Sequence, residues 1–426
     1  MTADPMHQWA TELFPIARSL TGPGVRETLA YLQKLAPALK VHTVPSGTQA
    51  FDWTVPPEWT IRDAFIANGA GERVVDFRKS NLHVVGYSQP VEGWLSREEL
   101  DKHLYSLPDM PTAIPYVTSY YAPRWGFCVS QQHRQRLTDE RYFVKIDSDL
   151  NPQGVMNYGE IVLPGQSMSE VLLSTYVCHP SLANNELSGP VVATALARWL
   201  AGRETRRLTY RILFIPETIG SIIYLSRHLE HLKRHVVAGY VLTCVGDERA
   251  YSYLPSREGD TLADRAARQA FRDLGISPVT YSFLDRGSDE RQYCSPGVDL
   301  PVCSIMRSKY AVYPEYHTSL DDLTLVTQAG LEGAFEVYRR TLELLEANRT
   351  FAAVTPCEPQ LDKRGLYPTT SIKNSGQQIR IILNVLAYAD GKRDLLSLAD
   401  TIGANAFECA TIAELLLAHD LLRVVE

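Results

Sequence analysis

Apolar positions change their period along this chain, and the changes divide it into segments. Residues 7–35 read as helices, the second carrying Val25, Leu29, Leu32 and Leu35 on one face. A strand is predicted over 40–44. From Trp53 to about Tyr158 prolines and aromatics crowd short β-like runs such as 82–87. One helix there opens with Ser96 and Glu99 spaced as a capping box. From Glu160 strand and helix alternate. Strands are predicted at 171–177, 209–215, 240–245 and 300–305. The helices between and after them are predicted at 190–201, 221–232, 262–274 and 329–347. Beyond Pro356 the pattern restarts: helices over 379–388, 395–402 and 406–419, the last capped by Asn405, then a strand over 421–425. No internal repeat or low-complexity tract interrupts this order.

Such alternation predicts an α/β fold, a mostly parallel sheet flanked by helices. The expected domains are a discontinuous α/β domain (1–52 and 159–355), an inserted β-rich domain (53–158) and a C-terminal winged-helix-like domain (356–426).

Composition narrows the function classes. The 426 residues carry a net charge of −7, without the basic footprint of a nucleic-acid binder. Residues 394–420 hold Asp394, Asp400, Glu408, Glu414 and Asp420 and no Lys or Arg, so the third C-terminal helix would repel phosphates. Packing or dimerisation is the expected use of that module; the oligomeric state stays open, with a homodimer one assembly it allows. No basic leader with an apolar core opens the chain, and no run of about 18 apolar residues predicts a membrane span. Seven dispersed cysteines without a CxxC pair point to reduced thiols and a cytoplasmic location.

The candidate chemistry lies at strand ends, where open α/β sheets bind ligands. After 171–177 come Cys178, His179, Asn184, Asn185 and Glu186. After 209–215 comes Glu217, poorly solvated beside an apolar strand and suited to a general base. Asp247 follows the third strand, and His317 with Asp321 and Asp322 follows the fourth. Two histidines and several carboxylates on one rim suggest a divalent metal, zinc above all. His179, Glu186 and His317 would be its ligands, Asp247 a further ligand or orienter, and Glu217 the base.

The order of His179, the ANNELSG loop, Glu217-x-x-Gly220-Ser221 and His317-Thr318 with Asp321 resembles the zinc aminopeptidase superfamily, which includes leucine aminopeptidases and glutaminyl cyclases. More closely, the chain resembles a bacterial aminopeptidase-like branch with an inserted β module and a C-terminal winged helix. The resemblance implies a zinc-peptidase-like sheet, His179 and His317 as metal ligands and Glu217 as base. There are departures: Asn185 stands where two-zinc enzymes have a bridging aspartate, Thr218 replaces a second glutamate, and Thr243 replaces an aspartate. One zinc per chain is therefore expected rather than two. The segment from Arg286 resembles a substrate-pocket segment, which makes Asp289, Glu290, Arg291 and Tyr293 pocket candidates. Arg257 is another of the same kind. The expected activity is metal-dependent hydrolysis of an amide bond in a small peptide or acylated amine. Amide transfer or cyclisation on a single metal, and a non-catalytic binding protein, remain open alternatives.

Overall fold

The computed structural model describes residues 4–366 and 375–425. Contacts divide these into two units: one runs to Gly259 and resumes over Val279–Phe335, the other holds Asp260–Pro278 and everything from Glu336 on.

The first unit is built on an eight-stranded mixed sheet. Its order is Lys40–Pro45, Val155–Leu163, Thr209–Ile215, Glu170–Tyr176, Val236–Val241, Val302–Met306, Ser252–Leu254 and Val279–Thr280. The four middle strands from Thr209–Ile215 to Val302–Met306 are parallel, and antiparallel strands flank them on both sides. Glu170–Tyr176 is buried at every position, as expected of a central strand covered on both faces. The third strand differs from the sequence expectation. It spans Val236–Val241, earlier than 240–245, and the chain leaves the ladder before Cys244, whose φ is 52°. That early exit frees residues 242–247 to form a loop against the neighbouring strand end.

The strand Glu170–Tyr176 passes through a π-helical turn, Ala183–Leu187, into the helix Ser188–Ala201. Gly189 sits at the first turn of that helix. A Cβ there would stand 2.3 Å from both the Leu242 carbonyl oxygen and Thr175 Oγ1, so only glycine lets the helix approach the strand ends this closely.

The inserted segment carries a four-stranded antiparallel sheet, ordered Arg73–Asp76, Glu58–Ala67, Arg141–Asn151 and Val91–Ser96. The helix Arg97–Asp101 has the capping box read from Ser96 and Glu99. The predicted strand over 82–87 is not one. Asn81–His83 is a 3-10 turn, after which Val85 donates to Gly126 and Gly86 to Val117. Its apolar side chains are buried, but its backbone is divided between two partners, so no ladder forms.

In the second unit, Thr350–Ala353 is the middle strand between Asp390–Asp394 and Leu422–Val425. The helices Ser375–Tyr388, Leu395–Ile402 and Ala406–Ala418 complete the winged-helix pattern, with Asn405 accepting from the Glu408 amide at 2.9 Å. No single helix among the described residues is long and apolar enough to cross a membrane.

Asp394 ties this unit together. It caps Leu395–Ile402 through the Ser397 amide at 2.9 Å and takes both terminal nitrogens of Arg265 at 2.9 and 2.8 Å. Burial raises its pKa, but the Arg265 and Ser397 hydrogen bonds outweigh burial and hold it below the usual carboxylate range. A depressed folded-state pKa stabilises above the unfolded value near 3.9, and that contribution is lost as pH falls. Asp394→Asn should therefore cost about 1.5–3 kcal/mol at pH 7 in chemical denaturation of the full chain, with the difference shrinking below about pH 4. Equal stability of the two proteins at pH 7 would contradict this role.

Candidate active site

Among the parallel strands the chain order reverses at Glu170–Tyr176, which lies between Thr209–Ile215 and Val236–Val241. A doubly wound sheet opens a crevice beyond the strand carboxyl ends at such a reversal. His179 and Glu217 follow the first two of these strands.

His179 is fixed from behind. Its Nδ1 lies 2.8 Å from Glu186 Oε2, and its backbone carbonyl accepts from Arg18 Nε at 2.9 Å. The same Arg18 Nε is 3.4 Å from Glu186 Oε1, and both side chains are fully buried. Arg18 Nη1 also donates to the Leu13 carbonyl and to Thr28 Oγ1. Burial opposes a charged His179 ring, but hydrogen bonding and charge from Glu186 outweigh it and move the pKa upward. With Nδ1 committed to Glu186, Nε2 is the nitrogen left for chemistry.

Glu217 reaches within 3.5 Å of His179 Nε2. Burial raises its pKa, against the pull of His179 and Arg291. The residue after it is bent sharply. Thr218 has φ 65° and ψ −74°, and the Ile219 amide donates to the Glu217 carbonyl at 2.8 Å. This is a γ-turn of the rare, strained hand. Asp289 holds it, accepting from the Thr218 amide at 2.8 Å and from Ser221 Oγ at 2.9 Å. Arg291 Nη2 adds a bond to Thr218 Oγ1 at 2.6 Å. Strain maintained by several partners at a strand end is typical of functional sites.

His317 also has a left-handed backbone, φ 57°. Its carbonyl accepts from the Tyr116 amide at 2.8 Å, and Ser319 exchanges bonds with Ile114, so the inserted segment is stitched to this loop. The ring stacks on Tyr316 at 3.9 Å and lies 5.6 Å from the His179 ring. Burial, then the neighbouring His179, pushes its pKa down to about 3. The imidazole is neutral, and its Nε2 is buried without a hydrogen-bond partner.

These groups face one cavity of about 310 Å³. His179, Glu217, Thr218, Arg291 and His317 form its polar side. Trp53, Tyr116, Tyr120 and Tyr121 of the inserted segment, with Leu20 and Ile219, form the apolar side. In the residues alone those aromatics stand out only by their density in the insert, and nothing in a single sequence marks Arg18 as buried.

Several sequence expectations need correction. Glu186 lies behind His179, between the ring and Arg18, and is absent from the cavity lining. Asp247 is saturated: Oδ1 accepts from the Arg249 amide and Ser308 Oγ, Oδ2 from Asn184 Nδ2 and the Ser308 amide. It braces loops and has no lone pair directed at His179. Glu290 accepts from the Gly287 and Ser288 amides and the Tyr310 hydroxyl through one oxygen and lies outside the cavity lining. The Tyr293 hydroxyl is buried against Ser174 Oγ at 2.8 Å. Arg257 pairs with Asp299 at 2.8 Å and Glu258 at 3.2 Å, away from the cavity lining. Asp289 supports the turn after Glu217 rather than lining the cavity. Arg291 does line it.

A metal can be tested against these donors. Ligand atoms of Cys178, His179 and Glu186 lie within 4.8 Å of one another. That group fits an ion poorly. A hydrogen bond already joins His179 to Glu186, a guanidinium stands beside the carboxylate, and burial keeps the Cys178 thiol protonated. The cavity side fits better. His317 Nε2 lines it and is buried without a partner, His179 Nε2 lies 3.5 Å from Glu217, and Asn185 Oδ1, outside the lining, is also buried without a partner. Asn185, Thr218 and Thr243 are neutral, and Thr218 already bonds a guanidinium. The carboxylate at the rim that could bind a helix terminus instead does so: Asp321 accepts from the Asn184 amide at 2.6 Å and the Asn185 amide at 3.0 Å.

Comparison with known proteins agrees with this architecture. Residues 7–348 match the family described as a domain of unknown function (DUF4910), and 349–424 match a winged helix-turn-helix. A protein of Clostridium acetobutylicum is 41% identical over all of this chain and 97% of its own length. It carries the provisional name of a polysaccharide biosynthesis protein with an aminopeptidase-like domain. A crystal structure from the same organism, provisionally termed a peptidase, superposes with a TM-score of 0.92 at 41% identity, over 99% of this chain and 96% of that one. BSAP, a zinc aminopeptidase from Bacillus subtilis, shares the fold at a TM-score of 0.57 and 12% identity, over 79% of this chain and 93% of its own.

Removing Arg18 leaves Glu186 buried without its cation. Arg18→Met should cost about 3–5 kcal/mol in urea denaturation, and adding Glu186→Gln should restore part of the loss. A cost under about 1 kcal/mol for the single variant would show that the pair is not the brace described.

Proposed function

This chain belongs to the DUF4910 family, and from that premise we propose that it is a metal-dependent hydrolase of a small amide. The observation that carries this reading is the cavity itself: Glu217 facing His179 Nε2, a His317 Nε2 without a partner, and a largely aromatic enclosure. His179 Nε2 and His317 Nε2 would hold one zinc, with Asn185 Oδ1 as a weaker third donor. Bound there, zinc supplies Lewis acidity toward the amide carbonyl. Glu186 and Arg18 hold the His179 ring in one tautomer and orientation. Glu217 takes the proton of the attacking water on its carboxylate and delivers it to the departing amine nitrogen, a task helped by its raised pKa. The aromatic wall limits the substrate to a small one and keeps bulk water out.

The fold shared with a zinc aminopeptidase supports amide chemistry. The neutral residues at three positions where a two-zinc enzyme needs carboxylates support a single ion. The acidic third helix of the winged-helix unit supports a packing or homodimerising role for it rather than nucleic-acid binding.

Glu217→Gln keeps the side chain's shape and removes its capacity to carry a proton. Turnover of an amide substrate by the zinc-loaded protein should fall by about 100-fold or more, with fold and zinc content unchanged. A variant within about twofold of wild type would exclude Glu217 as the base.

A further inference from the structure

An aminopeptidase-type substrate brings a free ammonium group, which needs a carboxylate to receive it. Around this cavity three carboxylates are each engaged by protein groups through at least one oxygen. Asp289 accepts from the Thr218 amide and Ser221, Glu290 from two amides and Tyr310, and Glu186 faces His179 and Arg18. The remaining buried oxygens of Asp289 and Glu290 belong to residues outside the lining. Glu217 alone lines the cavity, and it has the proton to carry.

The cation side is different. Arg291 lines the cavity and is exposed. Its Nη2 donates to Thr218 Oγ1 at 2.6 Å, which tethers the guanidinium at the rim. Among the described residues its Nε and Nη1 have no hydrogen-bond or ion-pair partner. An anchored fork with free donors is the usual receptor for a carboxylate. Depth sorts the remaining lining. Tyr116 and Tyr120 are part-buried and bonded to each other through their hydroxyls at 2.5 Å, while Tyr121 is 53% exposed beside Trp53. The apolar end of a ligand would lie inward and its charged end outward, by Arg291.

We infer that the substrate is a small amide bearing a free carboxylate on its amine side, an N-acylated amino acid in chemical class, with Arg291 as the residue that selects it. This rests on the amide-hydrolase reading above and replaces the free-amine substrate that the fold alone suggests. The acyl group lies against Tyr116 and Tyr120, and the carboxylate meets Arg291. In the reaction the oxygen of water bonds to the amide carbonyl carbon and the C–N bond breaks. The proton passes through Glu217 to nitrogen, giving a carboxylic acid and a free amino acid.

The test is calorimetric binding of N-acetyl-L-phenylalanine and of its neutral carboxamide to the full chain, with Glu217→Gln used in parallel to prevent turnover. The carboxylate should bind at least tenfold tighter than the carboxamide. Arg291→Gln should reduce that preference to within about twofold, and Arg291→Lys should restore part of it. Circular dichroism should show every variant folded, since Arg291 is exposed. Equal binding of the two ligands, no binding of either, or a preference unchanged in Arg291→Gln would overturn the inference. A carboxylate preference that depends on Arg291, but without turnover in the zinc-loaded wild type, would uphold Arg291 as the carboxylate receptor while overturning the hydrolase reading and, with it, the substrate assignment.

Discussion

A buried cation behind the first strand end sets the geometry on which the site depends. Arg18 reaches out of the N-terminal helical segment to the backbone of His179 and to the carboxylate of Glu186. Burying three such groups is costly unless each satisfies the next. Here the guanidinium balances the carboxylate, and the carboxylate commits Nδ1 of the imidazole. Only one nitrogen of His179 is then free, and it faces Glu217. The same loop begins a helix through a π-helical turn, a local irregularity often found where a helix must present functional side chains.

The rest of the cavity is assembled by constraint at the other strand ends. A γ-turn at Thr218 lets the chain start a helix immediately after Glu217, and Asp289 and Arg291 keep that turn from relaxing. His317 is held in a left-handed conformation by a backbone bond from Tyr116. That bond makes the inserted segment part of the site: the module that supplies the aromatic wall also fixes one of the imidazoles. Asn185, Thr218 and Thr243 are neutral. The polar side of the cavity offers one carboxylate and one fixed guanidinium, a balance suited to an anionic ligand rather than a free amine.

Much of this was legible in the residues. Periodicity placed most helices within two residues and found the parallel strands, because long amphipathic helices and fully buried strands leave strong patterns. His179, Glu217 and His317 were legible because strand ends expose unusual polar groups. The third strand was misplaced because the apolar run of residues 240–245 continues past the point where the ladder ends. The 82–87 run looked like a strand because burial, not pairing, determines its composition. Asp247, Glu290 and Tyr293 read as site candidates because a sequence shows a carboxylate or hydroxyl but not the protein donors that engage it. Arg18 and the tyrosines of the insert were missed for the converse reason. Their role comes from contacts with His179 and His317 far along the chain, and no local pattern carries that information.

The central claim, one zinc held between His179 and His317, is tested most directly by titrating metal-free protein with zinc and counting ions per chain, in wild type and in His317→Ala. One ion per chain, lost or greatly weakened in the variant, is the predicted result. Two ions per chain, or zinc binding that survives the loss of His317 unchanged, would contradict it.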